Sequence, residues 1–233
     1  MANKYSLGID IGSTTVKTVI ADNDGNIVYS KYQRHFSKVK ETVKDQLKLI
    51  QADYPDEKFT VCITGSAGLG LANSANIPFV QEVHAAFLAV KQKQPDADAV
   101  IELGGEDAKI IFLTGGVEQR MNGSCAGGTG AFIDQMATLL GITADQLDEL
   151  SLHAQKTYPI ASRCGVFAKS DIQPLLNQGA RREDVAASIF QAVVDQTVSG
   201  LAQGRTIEGK VLFLGGPLFF LKGLKKAFVK TLG

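Results

Sequence analysis

The chain has 233 residues, 45% of them hydrophobic and 21% charged, which is an ordinary composition for one large globular domain or two joined lobes. Basic and acidic residues number 24 each, which argues against a nucleic-acid-binding surface and against a basic membrane patch. Because no apolar run approaches the roughly 20 residues of a membrane span and the first residues lack a secretory signal pattern, we expect a cytoplasmic protein. Its three cysteines should then stay reduced, which leaves metal binding or core packing as their roles.

The first half of the chain alternates between strand and helix patterns. Alternating or continuous apolar residues predict strands at residues 5–11, 16–21, 27–32 and 59–64, and helical spacing predicts helices at 37–50 and 82–93. A glycine-rich segment, GSAGLG, follows the fourth strand from Gly65.

The second half begins with strands and continues mainly as helices. Strands are predicted at residues 99–103, 109–113, 117–121 and 211–214, and helices at 132–140, 185–204 and 221–232. Gly141 is expected to end the first of these helices, and Thr143 with Gln146 is expected to start a short helix through a capping box. Ser170 with Gln173 suggests another helix start of the same kind.

Two segments are similar at an offset of 92 residues: IDIGSTTVKTVI from Ile9 and IELGGEDAKIIF from Ile101. The offset places Asp10 on Glu102, Gly12 on Gly104 and Lys17 on Lys109. Each copy predicts a strand, a glycine-containing turn and a second strand. Two ordinary hairpins that match by chance would explain the similarity, and so would two phosphate-binding loops, one in each lobe.

The residue types favour phosphate binding. Glycine allows backbone N–H groups to approach phosphate oxygens closely, and the hydroxyls of Ser13, Thr14 and Thr15 can add hydrogen bonds. Carboxylates at Asp10 and Glu102 can hold water molecules on Mg²⁺, which keeps most of its hydration shell in proteins. The sequence contains no Walker-type P-loop, so P-loop chemistry is not indicated.

These motifs resemble a known superfamily. GIDIGSTTVK, IELGGEDAK and VLFLGGP resemble the first phosphate, second phosphate and adenosine motifs of the superfamily that includes actin, sugar kinases and the large heat-shock chaperones. MNGSCAGGTGAF and RCGVFAKSDI are more specific: they resemble the ATP-dependent activators of 2-hydroxyacyl-CoA dehydratases, which are related to the ATPase subunits of benzoyl-CoA reductases. The resemblance covers Gly8 to Pro217.

The resemblance implies an α/β fold of two ribonuclease-H-like, actin-like lobes with a nucleotide cleft between them. The first lobe would comprise residues 1–95, and the second, with a helical insertion, residues 96–233. The cleft would hold ATP or ADP with Mg²⁺. The implied catalytic residues are Asp10, Glu102, Glu106 and Asp107. The implied nucleotide-binding residues are Gly12, Ser13, Thr14, Thr15, Lys17, Gly104, Gly105, Gly127, Gly128, Gly215, Gly216 and Pro217.

The resemblance also implies that Cys125 and Cys164 are metal ligands, and that a homodimer shares one [4Fe–4S] cluster. Cys125 precedes a predicted helix, whose macrodipole favours a thiolate over a thiol, and a cluster that takes four thiolates needs a second subunit. The alternative is that both cysteines are small buried apolar residues. Cys62 lies within a predicted buried strand and is assigned to the core.

The implied activity is ATP hydrolysis coupled to electron transfer. A reduced ferredoxin- or flavodoxin-type donor would supply a low-potential electron, and a 2-hydroxyacyl-CoA dehydratase-type partner would accept it. Two other functions stay open. A small-molecule kinase of the same superfamily predicts a catalytic aspartate without paired cysteines. A nucleotide-gated interaction module, or a filament former like actin, predicts nucleotide binding with negligible turnover.

Several residues depart from the family pattern. Glu102 replaces the usual aspartate, Glu106 the usual glutamine, and the loop from Thr64 lacks the usual arginine. The chain ends at Gly233, where the family would add a strand and a helix, so we expect a fragment of a longer protein. The histidines at positions 35, 84 and 153 show no metal-ligand spacing and are predicted to be structural or surface residues, with His84 a candidate near the cleft.

Overall fold

The computed structural model describes residues 4–122 and 126–233. The chain divides into two compact units, Met1–Pro95 and Asp96–Gly233, and each contains a four-stranded sheet with its own hydrophobic core. None of the helices in the described ranges is long and apolar enough to cross a membrane.

The first unit is a β-rich layer with three helices. Its elements are β1 Tyr5–Ile11, β2 Thr15–Ala21, β3 Ile27–Arg34, α1 Val39–Asp53, β4 Phe59–Thr64, α2 Leu69–Ala75 and α3 Glu82–Lys93. The strand order is β3-β2-β1-β4, with β1 antiparallel to β2 and parallel to β4. Alternate residues of β1, including Ile9 and Ile11, are buried with Val43 and Ile50 of α1, so the period-2 pattern of the strand and the helical spacing of α1 build one core.

The second unit repeats this sheet and adds a helical insertion. Its elements are β5 Ala99–Leu103, β6 Ala108–Phe112, β7 Glu118–Met121, α4 Gly130–Leu139, α5 Ala144–Ser151, α6 Gly165–Asn177, α7 Arg182–Asp195, a π-helical segment Gln196–Leu201, β8 Val211–Leu214, α8 Gly216–Phe220 and α9 Lys222–Leu232. The strand order is β7-β6-β5-β8, with β5 antiparallel to β6 and parallel to β8. Phe132 of α4, Phe190 of α7 and Phe228 of α9 are fully buried in its core.

Several predicted features are confirmed. β1, β4, β5, β8 and α3 have the predicted bounds. Gly141 follows α4 with a φ of +67°, and both hydrogen bonds of the Thr143–Gln146 capping box are present.

Other predictions are corrected. α2 and α8 were not predicted, because each is a short helix that follows a glycine-rich loop. The long helix predicted at 185–204 starts at Arg182 and changes to π-helical geometry at Gln196. Ser170 does not start a helix: it lies inside α6, where its hydroxyl donates to the Val166 carbonyl. Cys62 is half-buried rather than fully buried, since β4 is an edge strand of its sheet.

Candidate functional site

The first hairpin places its two charged residues face to face. Asp10 on β1 pairs with Lys17 on β2, and the Lys17 Nζ lies 2.6 Å from the Asp10 Oδ2. Burial alone would lower the pKa of Lys17, but the Asp10 carboxylate outweighs it, so the pKa of this ammonium is raised and its charge is retained. The turn between them is closed by the Gly12 N–H, which donates to the Thr15 carbonyl at 2.9 Å.

The second hairpin has the same construction. Glu102 on β5 pairs with Lys109 on β6, and the Gly104 N–H donates to the Asp107 carbonyl at 2.7 Å. Lys109, only 2% exposed, lies 2.8 Å from the Asp107 Oδ2 and 3.8 Å from the Glu102 Oε1. Because an unpaired charge is very costly to bury, the buried Lys109 ammonium is stabilised by these two carboxylates and neutralises part of their charge. Lys109 was not predicted as a site residue, although its place in the 92-residue repeat marked it.

In each sheet, the strand that runs parallel to the first strand of the hairpin is followed directly by a glycine. β4 runs parallel to β1 and ends at Thr64, beside Asp10, while β8 runs parallel to β5 and ends at Leu214, beside Glu102. The next residues, Gly65 and Gly215, have φ values of +96° and +89°. A Cβ on Gly65 would overlap the carbonyl oxygen of Ile11, and a Cβ on Gly215 would overlap that of Leu103. Only glycine fits so close to the ends of β1 and β5.

Polar atoms beside Gly65 lie buried without a hydrogen-bond partner. Among the described residues, the Asp10 Oδ1 and the Thr64 Oγ1 are in this position, one on each of two paired strands. Such atoms are rare in folded proteins and call for a missing water molecule, ion or ligand. A carboxylate oxygen and a hydroxyl are donors suited to Mg²⁺ or to its coordinated water, so these residues fit the predicted cation.

In the second unit, three glycine-containing loops meet at the start of α4. The Gly130 N–H donates to the Gly104 carbonyl at 3.0 Å, and the Ala131 N–H donates to the Gly105 carbonyl at 2.7 Å. A Cβ on Gly130 would lie 3.3 Å from Cγ of Pro217. The predicted site residues of the second hairpin and of the loop after β8 are therefore brought together. Glu106 is exposed at the tip of this hairpin.

The loop before α4 also packs against the chain that leads to Cys164. A Cβ on Gly127 would lie 2.6 Å from the carbonyl oxygens of both Ser162 and Arg163, so only glycine allows this approach. Gly128, with a φ of +79°, faces Gln196 at the start of the π-helical segment, a feature that sequence reasoning missed.

Cys164 is a free, half-buried cysteine at the start of α6. Two and three residues further along, Val166 and Phe167 are 68% and 66% exposed, although both are large and apolar. Cys125 lies outside the described residues. Within the described ranges, no three His, Cys, Asp or Glu side chains lie together as a metal site.

Comparison with known proteins places this chain among ATPases. The profile of the BadF/BadG/BcrA/BcrD ATPase family matches residues 7–233. The chain is 30% identical over 221 residues to the 2-hydroxyisocaproyl-CoA dehydratase activator of Clostridioides difficile, covering 91% of this chain and 80% of the relative.

Two solved structures are similar along almost the whole chain. Component A of (R)-2-hydroxyglutaryl-CoA dehydratase from Acidaminococcus fermentans matches with a TM-score of 0.87 and 28% identity, over 98% of this chain and 89% of that one. The activator of 2-hydroxyisocaproyl-CoA dehydratase from Clostridium difficile, solved with bound ADPNP, matches with a TM-score of 0.81 and 29% identity, over 98% and 85% of the two chains. The predicted α/β, actin-like fold class is confirmed.

Proposed function

Because the chain belongs to the BadF/BadG/BcrA/BcrD ATPase family, we propose that it binds ATP with Mg²⁺ through its two glycine hairpins and activates a 2-hydroxyacyl-CoA dehydratase-type enzyme. The observation that carries the proposal is the shared construction of the two hairpins. In both, a glycine N–H closes the turn at the same position, and a carboxylate faces a lysine across the strands. Two chance hairpins would not share the turn bond, the register and the charge pair.

Each group in the hairpins has a role toward the nucleotide. The turn N–H groups that follow Gly12 and Gly104, together with the hydroxyls of Ser13 and Thr14, bind phosphate oxygens, while Lys17 supplies positive charge beside them. Asp10, with its buried Oδ1, binds the water shell of Mg²⁺. The loop at Gly215 and Gly216 binds the adenosine, in agreement with its resemblance to the adenosine motif. The ADPNP bound by the Clostridium difficile activator supports this choice of ligand.

The relatives support the choice of partner, and the resemblance of the two cysteine motifs supports the choice of cofactor. Two of the matched proteins are named as parts of 2-hydroxyacyl-CoA dehydratase systems, which supports an enzyme of that class as the electron acceptor. We assign Cys125 and Cys164 as ligands of a [4Fe–4S] cluster, which supplies one-electron transfer at low potential when bound.

The surroundings of Cys164 fit this assignment. The segment just before Cys164 packs through the Arg163 carbonyl against Gly127, in the loop that leads into α4. Because four thiolates are needed, two subunits would each contribute two. The exposed Val166 and Phe167 give the second subunit an apolar surface beside the cysteine.

Replacing Gly105 with valine should weaken the binding of Mg-ADP about 100-fold, because a branched side chain would stand where the backbone meets phosphate. Isothermal titration calorimetry measures the change. The matched control is Gly8→Val, because Gly8 lies on β1 and a Cβ there would meet no atom nearer than 4.0 Å. Unchanged affinity in a folded Gly105→Val protein would contradict the assignment of the second loop.

The isolated protein should hydrolyse ATP far more slowly than the enzyme median of roughly 10 s⁻¹, because hydrolysis in an activator is coupled to its partner. Phosphate release under anaerobic conditions measures the rate. A rate near that median without any partner would instead favour the kinase alternative.

A further inference from the structure

His35 lies directly after β3 and is only 6% exposed, and its hydrogen bonds all go to the first hairpin or to its own turn. Its backbone N–H donates to the Thr14 carbonyl at 3.1 Å. Its ring Nε2 lies 3.1 Å from the Gly12 carbonyl oxygen, and its Nδ1 lies 3.1 Å from the Ser37 backbone nitrogen. This one residue therefore forms hydrogen bonds with two carbonyl oxygens of the turn from Gly12 to Thr15.

These contacts determine which ring nitrogen carries the proton. A backbone N–H can only donate, so the Nδ1 that faces Ser37 is the acceptor and has no hydrogen. In the neutral imidazole the hydrogen is then on Nε2, which donates to the Gly12 carbonyl.

The bond to Gly12 sets the direction of the next amide. A peptide unit is planar and trans, so the carbonyl of Gly12 and the N–H of Ser13 point in opposite directions. Because His35 holds that carbonyl, the Ser13 N–H is directed away from the imidazole. An N–H held in this direction is the group that a phosphate-binding turn must supply.

The second hairpin uses a different donor at the same place. There the carbonyl of Gly104, which matches Gly12 in the repeat, accepts from the N–H of Gly130 at the start of α4. The same peptide of the turn is thus held in both units, by a helix N-terminus in the second and by a side chain in the first. Because the equivalent carbonyl accepts a hydrogen bond in both hairpins, we interpret the His35 bond as part of the turn's function and not as core packing alone.

The backbone after His35 is strained, which indicates that surrounding contacts hold the histidine in this position. Phe36 and Ser37 have φ values of +46° and +64°, although neither is glycine, and Phe36 is exposed. This turn brings the Ser37 N–H onto Nδ1, and the Lys38 N–H donates to the His35 carbonyl at 2.7 Å. Strain of this kind persists only where surrounding contacts enforce it, and it concentrates at functional sites.

We infer that His35 is a positioning residue of the first phosphate loop, whose Nε2–H fixes the Gly12–Ser13 peptide so that the Ser13 N–H binds a phosphate oxygen of the nucleotide. The inference rests on the proposed function and adds to it a side chain that belongs to no recognised motif of the sequence.

Two substitutions separate the ring nitrogens. In His35→Gln the side-chain amide can occupy the place of Nε2 and still donate to Gly12. In His35→Asn the oxygen can replace Nδ1 as the acceptor for Ser37, but the shorter side chain does not reach Gly12. We expect the affinity for Mg-ADP, measured by calorimetry, to fall about tenfold in the Asn variant and to stay within about threefold of wild type in the Gln variant. His153→Gln, at an exposed histidine of the second unit, is the matched control and should change nothing.

Melting temperatures, measured in parallel, separate binding from folding. If the Asn variant does not fold, His35→Ala is titrated with and without imidazole, which should restore affinity by refilling the site. Equal losses in the Asn and Gln variants, no loss in the Asn variant, or an Ala variant that imidazole does not rescue would overturn the inference alone. Wild-type protein that binds no Mg-ADP would overturn the proposed function, and this inference with it.

Discussion

Replacing Cys164 with serine is expected to abolish the iron–sulfur cluster of anaerobically reconstituted protein. A subunit that supplies only Cys125 leaves the cluster with two thiolates from a dimer, which is half of the four that such clusters take. The iron content should fall from about four atoms per dimer to nearly none, with loss of the brown colour. Because the cluster would join the subunits, the variant should also elute as a monomer.

Two controls make this result specific. Cys62→Ser changes a half-buried cysteine on the edge strand β4 and should keep the full iron content and the dimer. Mg-ADP binding should persist in Cys164→Ser, because the nucleotide hairpins use other residues. A complete [4Fe–4S] spectrum in the Cys164 variant, or wild-type protein that takes up no iron, would remove the cluster from the proposed function.

Replacing Gly65 with alanine is expected to destabilise the protein by about 3 kcal/mol or more, because two costs add. A φ of +96° is strained for any L side chain, and the new Cβ would overlap the Ile11 carbonyl and lie 2.5 Å from the Asp10 Oδ1. The Asp10 side chain can turn away, but the backbone at Ile11 cannot, because it is paired with Val16 and its carbonyl accepts from the Ala67 N–H. Urea unfolding followed by circular dichroism measures the change.

Gly25→Ala is the matched control for this experiment. Gly25 has a φ of +80°, but a Cβ there would meet nothing within 4 Å, so alanine should cost only the backbone strain of about 1–2 kcal/mol. Gly70→Ala, in helix α2 with open space around it, should stabilise by about 0.5–1 kcal/mol. Equal effects of the Gly65 and Gly25 substitutions would show that the close approach to β1 is unimportant.

The sequence alone determined the two hairpins and the bounds of several strands. Each hairpin is a contiguous segment whose turn glycine, carboxylate and lysine keep a fixed spacing, and a β-hairpin register follows from the turn. The 92-residue repeat therefore predicted a strand, a glycine-containing turn and a second strand in each copy, and the capping box at Thr143 is local in the same way. The family could be recognised from these motifs because the residues that form a phosphate loop are adjacent in the sequence.

Only the tertiary structure decided which distant residues complete the hairpins. The parallel pairing of β4 with β1 and of β8 with β5 makes Gly65 and Gly215 equivalent. They do not share the spacing of the repeat, because α4 to α7 and the π-helical segment are inserted before β8. α6 starts at Gly165 rather than near Ser170, at a point where the chain lies so close to α4 that a Cβ would overlap the Gln135 side chain.

His35 is the clearest case of a residue that local patterns could not assign. Its spacing to other residues predicts only a structural or surface histidine, and its bonds to Gly12 and Thr14 form because β3 pairs with β2 and returns the chain to the turn. Sequence patterns identify residues that interact within one turn or one helix. The partners that hold those residues in place come from strand pairing over long sequence separations, which side-chain spacing does not encode.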